Sequence, residues 1–452
     1  MRFNQPPQIS SPTPSASPIS FTEAASIVAA QAMTILSTPT LEQEQCELSE
    51  GLGRILALPV IAERDQPPFP RVTRDGFAIR AEDVSSSAPL RVIGQLRAGE
   101  KQSSSQPPLA PGEAIEIMTG APLPPGADAV LMVEHAEEVS AERVPDADRT
   151  ARSSRRIRPV TDRTLRVGEN VVVQGSEARK GDVLLEAGTR LLPDEIVLTA
   201  SCGLDSIFVY RQPKVAILAT GDELRELSRP GSTAAAGPIE SHQIYDSNSE
   251  SLSALVRQAG GIPIRQRAAR DEKSDLTTCI REAWKHGRLL LLTGGVSMGR
   301  YDLVEQVLTS LGAEFFFTGV KMQPGKPVVF GQIPARDNQP QRFFFGLPGN
   351  PVSVLVTFRV FVQPLLAALA GEGHWQPKTA LASMAADLQF KPGLTRFVPA
   401  RLQTSQALPT VIPVVNRGSG DLAANARANC YAIVPEDCGH LVAGQTVQIL
   451  LR

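Results

Sequence analysis

Three loops in this chain carry residues suited to holding an anion, and each follows a short apolar run. Leu289-Leu290-Leu291-Leu292 enters Thr293-Gly294-Gly295-Val296-Ser297, and Phe343-Phe344-Phe345 enters Gly346-Leu347-Pro348-Gly349-Asn350-Pro351. Phe315-Phe316-Phe317 leads to Gln323-Pro324-Gly325-Lys326-Pro327. A glycine/serine loop ahead of a helix offers unobstructed N–H groups to phosphate oxygens. The Lys326 loop adds a cation on a backbone stiffened by two prolines. Asp222, in Thr220-Gly221-Asp222-Glu223, and Asp246, in Tyr245-Asp246-Ser247-Asn248, place carboxylates just past a strand and at a helix entrance. With phosphate nearby such a pair suits Mg²⁺, and without it the two are helix-capping acids. Asp302 reads as a helix cap or a ligand, and Asp75-Gly76 and Thr119-Gly120 as ordinary turns. The substrate class indicated is a phosphorylated or otherwise anionic small molecule.

Elements that position these loops follow from periodicity. Apolar runs stopped by Gly or Pro and followed by helical patterns predict buried parallel strands feeding helices, with the ligand at their carboxyl ends. Lys214–Ala219 reads as another such strand. Ser247-Asn248-Ser249-Glu250 opens a helix as a capping box, and Asn350 with Pro351 caps a long helix ending near Ala370. Helical spacing also marks Phe21 to Leu36, capped by Thr22, and Leu48 to Leu58. Pro193 opens a helix with Asp194 and Glu195 in its first turn. Gly76–Ile79, Leu90–Ile93, Ala114–Ile117 and Ala129–Val133 predict strands, as do Val171–Val173, Asp182–Leu185 and Arg190–Leu192. Residues 1–20 read as a disordered tail, 141–164 as a solvated loop, and the stretch beyond Pro377 as a small β-barrel or sandwich.

Bulk composition excludes several classes. A chain of 452 residues predicts several domains. Lys plus Arg (45) nearly balances Asp plus Glu (47), which argues against a nucleic-acid surface. No apolar run approaches the ~20 residues of a membrane span, and no signal-peptide pattern opens the chain. Five scattered cysteines without a CxxC pair predict reduced thiols and no structural zinc site. The expected class is soluble, cytoplasmic and globular.

Eight motifs in order carry a resemblance. They are Asp75-Gly76-Phe77-Ala78, Ile117-Met118-Thr119-Gly120-Ala121-Pro122, Ala187-Gly188-Thr189 and Thr220-Gly221-Asp222-Glu223-Leu224. Asp246-Ser247-Asn248 and the three anion loops complete the set. From about Phe21 to the C-terminus the chain resembles the molybdopterin molybdenumtransferase family (MoeA and the gephyrin E-domain). The resemblance implies a homodimer of multidomain α/β plus β subunits, and it leaves out the tail at 1–20 that composition marks as disordered. The parts expected are an elongated connecting domain (21–64 plus 155–212), a β-rich domain (65–154), a central open α/β domain of molybdopterin-binding type (213–372) and a C-terminal β-barrel (373–452).

The implied reaction turns adenylylated molybdopterin and molybdate into molybdenum cofactor and AMP. On that reading Gly294, Gly295, Ser297, Asp302, Pro348, Gly349, Asn350 and Pro351 hold pterin phosphate and nucleotide. Asp222 and Asp246 bind Mg²⁺ or orient the phosphoanhydride. Lys326, with Arg401 and Ser419, binds molybdate, and Asp75, Thr119 and Glu195 match positions tied to activity. The sequence departs from the family where Gln323 replaces a lysine, Asn170 an acid and Pro399 an arginine, and Val72-Thr73-Arg74 precedes Asp75 in place of Ser-Ala-Met. The alternatives are a specialised, non-catalytic scaffold and a molybdopterin adenylyltransferase. An adenylyltransferase docking as a separate partner is left open.

Overall fold

The computed structural model describes residues 17–38, 41–86, 88–100, 107–139, 155–160, 164–227, 238–295, 303–335, 340–404, 408–415, 418 and 420–452. Ser297, Asp302 and Ser419, most of the 1–20 tail and most of the 141–164 loop lie outside the described residues. Internal packing divides the chain into two units. One comprises Met1–Leu58, Ala187–Ile196 and Asp205–Arg452, and the other Pro59–Glu186 and Val197–Leu204.

The first unit is built on a six-stranded sheet. Its order is Ile262–Arg265, Lys214–Ala219, Leu289–Thr293, Arg342–Leu347, Val329–Ile333, Glu314–Thr318. The first four strands are parallel and the last two antiparallel. Leu289–Thr293 is buried at every residue, as a strand covered on both faces must be. Its alternate side chains serve two cores. Leu289 and Leu291 join Val28, Leu252, Val354 and Leu365 from helices on one face. Leu290 and Leu292 join Leu276, Ile280, Val304 and Val307 on the other. From Lys214–Ala219 the chain runs outward to Ile262–Arg265, then returns across to Leu289–Thr293. That reversal opens a crevice beyond the carboxyl ends of these strands.

The helical stretch Pro351–Leu369 is apolar and long enough to cross a membrane, yet 89% of it is buried in this core. Asn350 caps it, accepting the Val352 N–H at 3.2 Å. A π turn at Phe358–Val362 precedes Pro364. Proline has no N–H to give the carbonyl four residues back, and the wider turn accommodates that loss. The chain then enters a β-barrel. Thr395–Gln403, Thr410–Pro413, Thr379–Met384, Thr446–Leu451 and Cys430–Val434 pair in a closed ring, with Met322–Gln323 added alongside Thr395–Gln403.

In the second unit an open six-stranded sheet runs Ala129–Met132, Gly76–Ile79, Glu113–Ile117, Leu90–Leu96, Arg156–Pro159, Ala136–Val139. It too has apolar clusters on both faces, one with Ala78, Ile115 and Val130, the other with Phe77, Ile79 and Leu131.

Several expectations change. Glu314–Thr318 is an antiparallel edge strand, not a buried parallel one, with Phe315 and Phe316 only half-buried. The link from it to Val329–Ile333 contains no helix and is too short for a parallel crossover. Leu48 to Leu58 forms a single 3₁₀ turn, Leu48–Glu50, because Gly51 and a left-handed Gly53 (φ 77°) end it. Arg190–Leu192 is no strand, since only an isolated bridge joins Arg190 to Ile55. The first helix, Phe21–Ser37, is capped by Ser20 rather than Thr22. The helix Ser247–Gln258 begins one residue after its cap, Asp246, not with Ser247 as cap. Lys273–Ala283 is a further helix, with Leu276, Cys279, Ile280 and Ala283 carrying its apolar spacing.

Candidate active site

The crevice of the first unit is a cavity of about 640 Å³. Three strand-end segments form its back: Thr220-Gly221, Gly294-Gly295 and Pro348-Gly349-Asn350. Gly294 and Gly295 are left-handed, with φ of 86° and 64°. A Cβ on Gly294 would meet the Thr220 carbonyl oxygen at 2.4 Å, and one on Gly295 would meet Thr220 Oγ1 at 2.8 Å. Only glycine fits either position, so this loop presents bare backbone to the cavity. Asn248 couples two loops. Its Nδ2 donates to Thr293 Oγ1 at 2.9 Å and to the Gly349 carbonyl at 2.8 Å. Thr220 Oγ1 and Asn248 Oδ1 are buried and have no hydrogen-bond partner among the described residues. Buried polar atoms left unpaired are costly, and they are groups a bound ligand or water would satisfy.

Opposite stands the Gln323–Pro327 loop. Gly325 (φ 111°) lies so close to the Pro351–Leu369 helix that a Cβ would meet Thr357 Cγ2 at 2.5 Å. The Val320 N–H donates to the Lys326 carbonyl at 2.9 Å. So seated, the loop leaves Lys326 exposed on the cavity wall. Gln323, where the family resemblance expects a lysine, accepts a 3.0 Å hydrogen bond from Arg396 Nε. Parallel pairing sets Gln323 beside Arg396, whose guanidinium also lies 5.4 Å over the Phe390 ring. A guanidinium thus contacts the Gln323 side chain, although Arg396 itself does not line the 640 Å³ cavity. Gln323 and Pro324 also line a neighbouring cavity of about 430 Å³, together with Arg396 and Pro399.

Glu223 and Asp271 supply the cavity's carboxylates. An isolated bridge between Thr220 and Ala269 draws the Asp271 segment to this place. Burial raises the Asp271 pKa, and the Asp222 and Glu223 carboxylates raise it further, against a hydrogen bond from the Asp222 backbone. Mutual repulsion of this kind favours a bound cation. Asp271 was not among the residues singled out from sequence, since it sits in a polar stretch without apolar periodicity.

The cavity gathers Gly294, Gly295, Lys326, Pro348, Gly349 and Asn350 of the residues named from sequence. It is not lined by Asp222, Asp246, Pro351 or Arg401. Asp246 is buried (4% exposed), accepts the Ser249 N–H at 3.0 Å and lies 3.7 Å from Arg265 Nη2. Asp222 is exposed, and Pro351 is the first residue of its helix. Arg401 is exposed on the barrel strand Thr395–Gln403, and Glu195 accepts the Leu192 N–H at 2.9 Å in the first turn of its helix. Among the described residues no group of three or more His, Cys, Asp or Glu could hold a metal by protein ligands alone.

Asp75 and Thr119 meet in the second unit. Asp75 Oδ1 accepts the Thr119 N–H at 2.7 Å and its hydroxyl at 2.8 Å. These two donors, backbone first, hold the Asp75 carboxyl below the usual range. Asp75-Gly76 is no hairpin turn: Gly76 begins an inner strand and has no room for a side chain, a Cβ falling 2.0 Å from the Leu131 carbonyl oxygen. Asn170 is left-handed (φ 60°), its Nδ2 donates to the Val130 carbonyl at 2.9 Å, a bond an ionised acid could not give, and its carbonyl accepts the Thr73 N–H beside Asp75. Thr119→Val removes the hydroxyl donor while keeping the backbone one. The Asp75 pKa should rise toward the ordinary carboxylate value, so the ionised form persists over a narrower range as pH falls. Carboxyl NMR titration of the two proteins reads that shift.

The chain shares 33% identity over 423 residues with a molybdopterin molybdenumtransferase from Nostoc sp., spanning 91% of this chain and 90% of that one. The chain belongs to the molybdopterin molybdenumtransferase family. A Haemophilus influenzae protein of the same description is 33% identical over 92% of this chain and 95% of its own length. Family models agree in order. Residues 19–203 match "MoeA N-terminal region (domain I and II)", 216–368 "Probable molybdopterin binding domain" and 382–451 "MoeA C-terminal region (domain IV)". A solved molybdopterin biosynthesis MoeA protein from Pyrococcus horikosii superposes with a TM-score of 0.69 at 30% identity, over 96% of this chain and 99% of that one. Another, from Pyrococcus horikoshii OT3, gives 0.73 at 26% identity, over 96% and 100%. As a molybdopterin molybdenumtransferase, the chain inserts molybdenum in molybdenum cofactor biosynthesis, with molybdopterin and molybdate as its substrates.

Proposed function

We propose that the 640 Å³ cavity takes adenylylated molybdopterin and molybdate and releases AMP. The observation that carries this reading is the cavity's two-sided lining, bare glycine backbone on one wall and Lys326 on the other. Gly294, Gly295 and the Pro348-Gly349-Asn350 turn accommodate the pterin phosphate and the phosphoanhydride without side-chain obstruction. Asn248 keeps those loops in register, so their N–H groups need no reorganisation as charge develops. Lys326 attracts the molybdate dianion, and Arg396 holds a second positive charge at Gln323. Ser297, Asp302, Arg401, Ser419 and Pro351 remain contributors implied by the resemblance alone.

Mg²⁺ fits this donor set, because it accepts one or two carboxylates and completes its shell with phosphate oxygens and water. Glu223 and Asp271 are the carboxylates suited to hold it, with Asp222 adjoining. Asp246 is already engaged as a cap and is better suited to fixing the helix that carries Asn248. When bound, the ion would neutralise phosphoanhydride charge. Asp75, Thr119 and Glu195 serve the reaction in a homodimer working in the cytoplasm, with the four-part domain division expected from sequence. Support for the dimer comes from the resemblance.

Rescue of molybdoenzyme activity in a transferase-deficient strain tests the assignment. The chain should restore activity, and failure at both low and high molybdate would overturn it. In the purified protein, Glu223→Gln with Asp271→Asn should raise the Mg²⁺ needed for half-maximal AMP release by about tenfold or more. The same pair should also remove any Mg²⁺-dependent rise in melting temperature. An unchanged Mg²⁺ requirement would count against these two residues.

A further inference from the structure

The core helical stretch carries one charge that the reaction does not use. Arg359, within the π turn Phe358–Val362, is only 8% exposed. Its Nη1 donates to the Leu355 carbonyl at 2.9 Å. Nε and Nη2 hydrogen-bond to no described residue, and neither is sealed from solvent. No carboxylate among the described residues lies within ion-pairing distance of this guanidinium; burial disfavours its charge most, and beside Tyr431 the other group acting on it is a second cation, Arg452. A buried cation without a counter-charge is rare in a folded chain.

Arg359 borders a cavity of about 190 Å³, smaller than the pockets that hold cofactor-sized molecules. Its charged lining is largely basic. Exposed Lys378 and His374 share the wall with Arg359 and with Arg452, whose Nη1 already donates to the Asn425 and Ala428 carbonyls, and Gln363 adds an amide. Glu372, the carboxylate of the lining, is committed to Arg190 through contacts of 2.9 and 2.6 Å. No residue of this lining belongs to the active-site cavity.

We propose that this second cavity is a binding site for one compact tetrahedral oxyanion of phosphate, sulfate or molybdate chemistry. Arg359 is its buried anchor, and Lys378 stands at the mouth. The anion would supply the counter-charge Arg359 lacks and accept from its free N–H edge, a geometry to which a guanidinium fork is suited. Volume argues against a nucleotide.

Titration calorimetry on the full chain with inorganic phosphate, against chloride of equal ionic strength, tests this site. Sulfate and molybdate form parallel arms that show which oxyanion is preferred. A Lys326→Ala background weakens binding at the active-site cavity and leaves the second site untouched. In that background one phosphate should bind. Arg359→Gln should weaken it by about tenfold or more. Lys378→Ala, an exposed change that leaves the core intact, should weaken it by about threefold. If Arg359→Gln does not fold, Lys378→Ala and the equimolar stoichiometry decide. Absence of phosphate, sulfate and molybdate binding in the Lys326→Ala background, or binding unaltered by Lys378→Ala, would overturn the proposal.

Discussion

Lys326→Ala should lower kcat/KM for molybdate by about one to two orders of magnitude, with little change in melting temperature. The size follows from the chemistry of the contact. A hydrogen bond to a charged partner contributes about 1.5–3 kcal/mol, and each 1.4 kcal/mol is tenfold in rate. Lys326 is exposed on the cavity wall, while its loop is seated by Gly325 against Thr357 and by the Val320 N–H. Its amine can therefore be removed without disturbing the seat. Arg396 remains at Gln323 and should leave residual activity that higher molybdate recovers. Initial rates of AMP release across a molybdate series give the answer. A KM for molybdate equal to that of the parent protein would remove Lys326 from the oxyanion side.

Gly294→Ala should do more damage, because it strains backbone as well as site. The residue is left-handed at φ 86°, and the added Cβ falls 2.4 Å from the Thr220 carbonyl oxygen, which belongs to backbone and cannot swing aside. Such a position costs of order 1–3 kcal/mol in dihedral strain alone. Relief requires the 293–295 loop to move away from Thr220, which also spoils the phosphate wall. We expect a loss of about 2–4 kcal/mol in the unit's unfolding transition, and AMP release close to background. Gly349→Ala is the steric control, since its Cβ would find only Gly294 Cα at 3.8 Å. Urea unfolding of the two variants separates them: similar midpoints would show that the Thr220 contact is not a constraint.

Much of this site was readable from residue order because its main parts are local. Leu289–Thr293 and Arg342–Leu347 are buried on both sides, so their apolar runs and terminal glycines announce strand and loop together. Asn350 and Pro351 cap and begin a helix within two residues. What escaped is what distant pairing creates. Arg396 reaches Gln323 only because two strands 73 positions apart run side by side. Asp271 arrives through the bridge at Thr220. The triple phenylalanine misled for another reason: apolar content alone does not separate a central parallel strand from a half-buried antiparallel edge. Asp246 shows a subtler limit, since a carboxylate beside a helix start reads equally as ligand or cap until its burial and the Ser249 N–H are known.

On the proposed function one cavity takes the adenylylated pterin on its glycine wall and molybdate on its lysine wall. The most direct measurement is AMP released by the purified chain from adenylylated molybdopterin, with Mg²⁺ present, in the presence and absence of molybdate. Release should saturate with molybdate and fall sharply in Lys326→Ala. Release at the same rate without molybdate, or undiminished in Lys326→Ala, would contradict it.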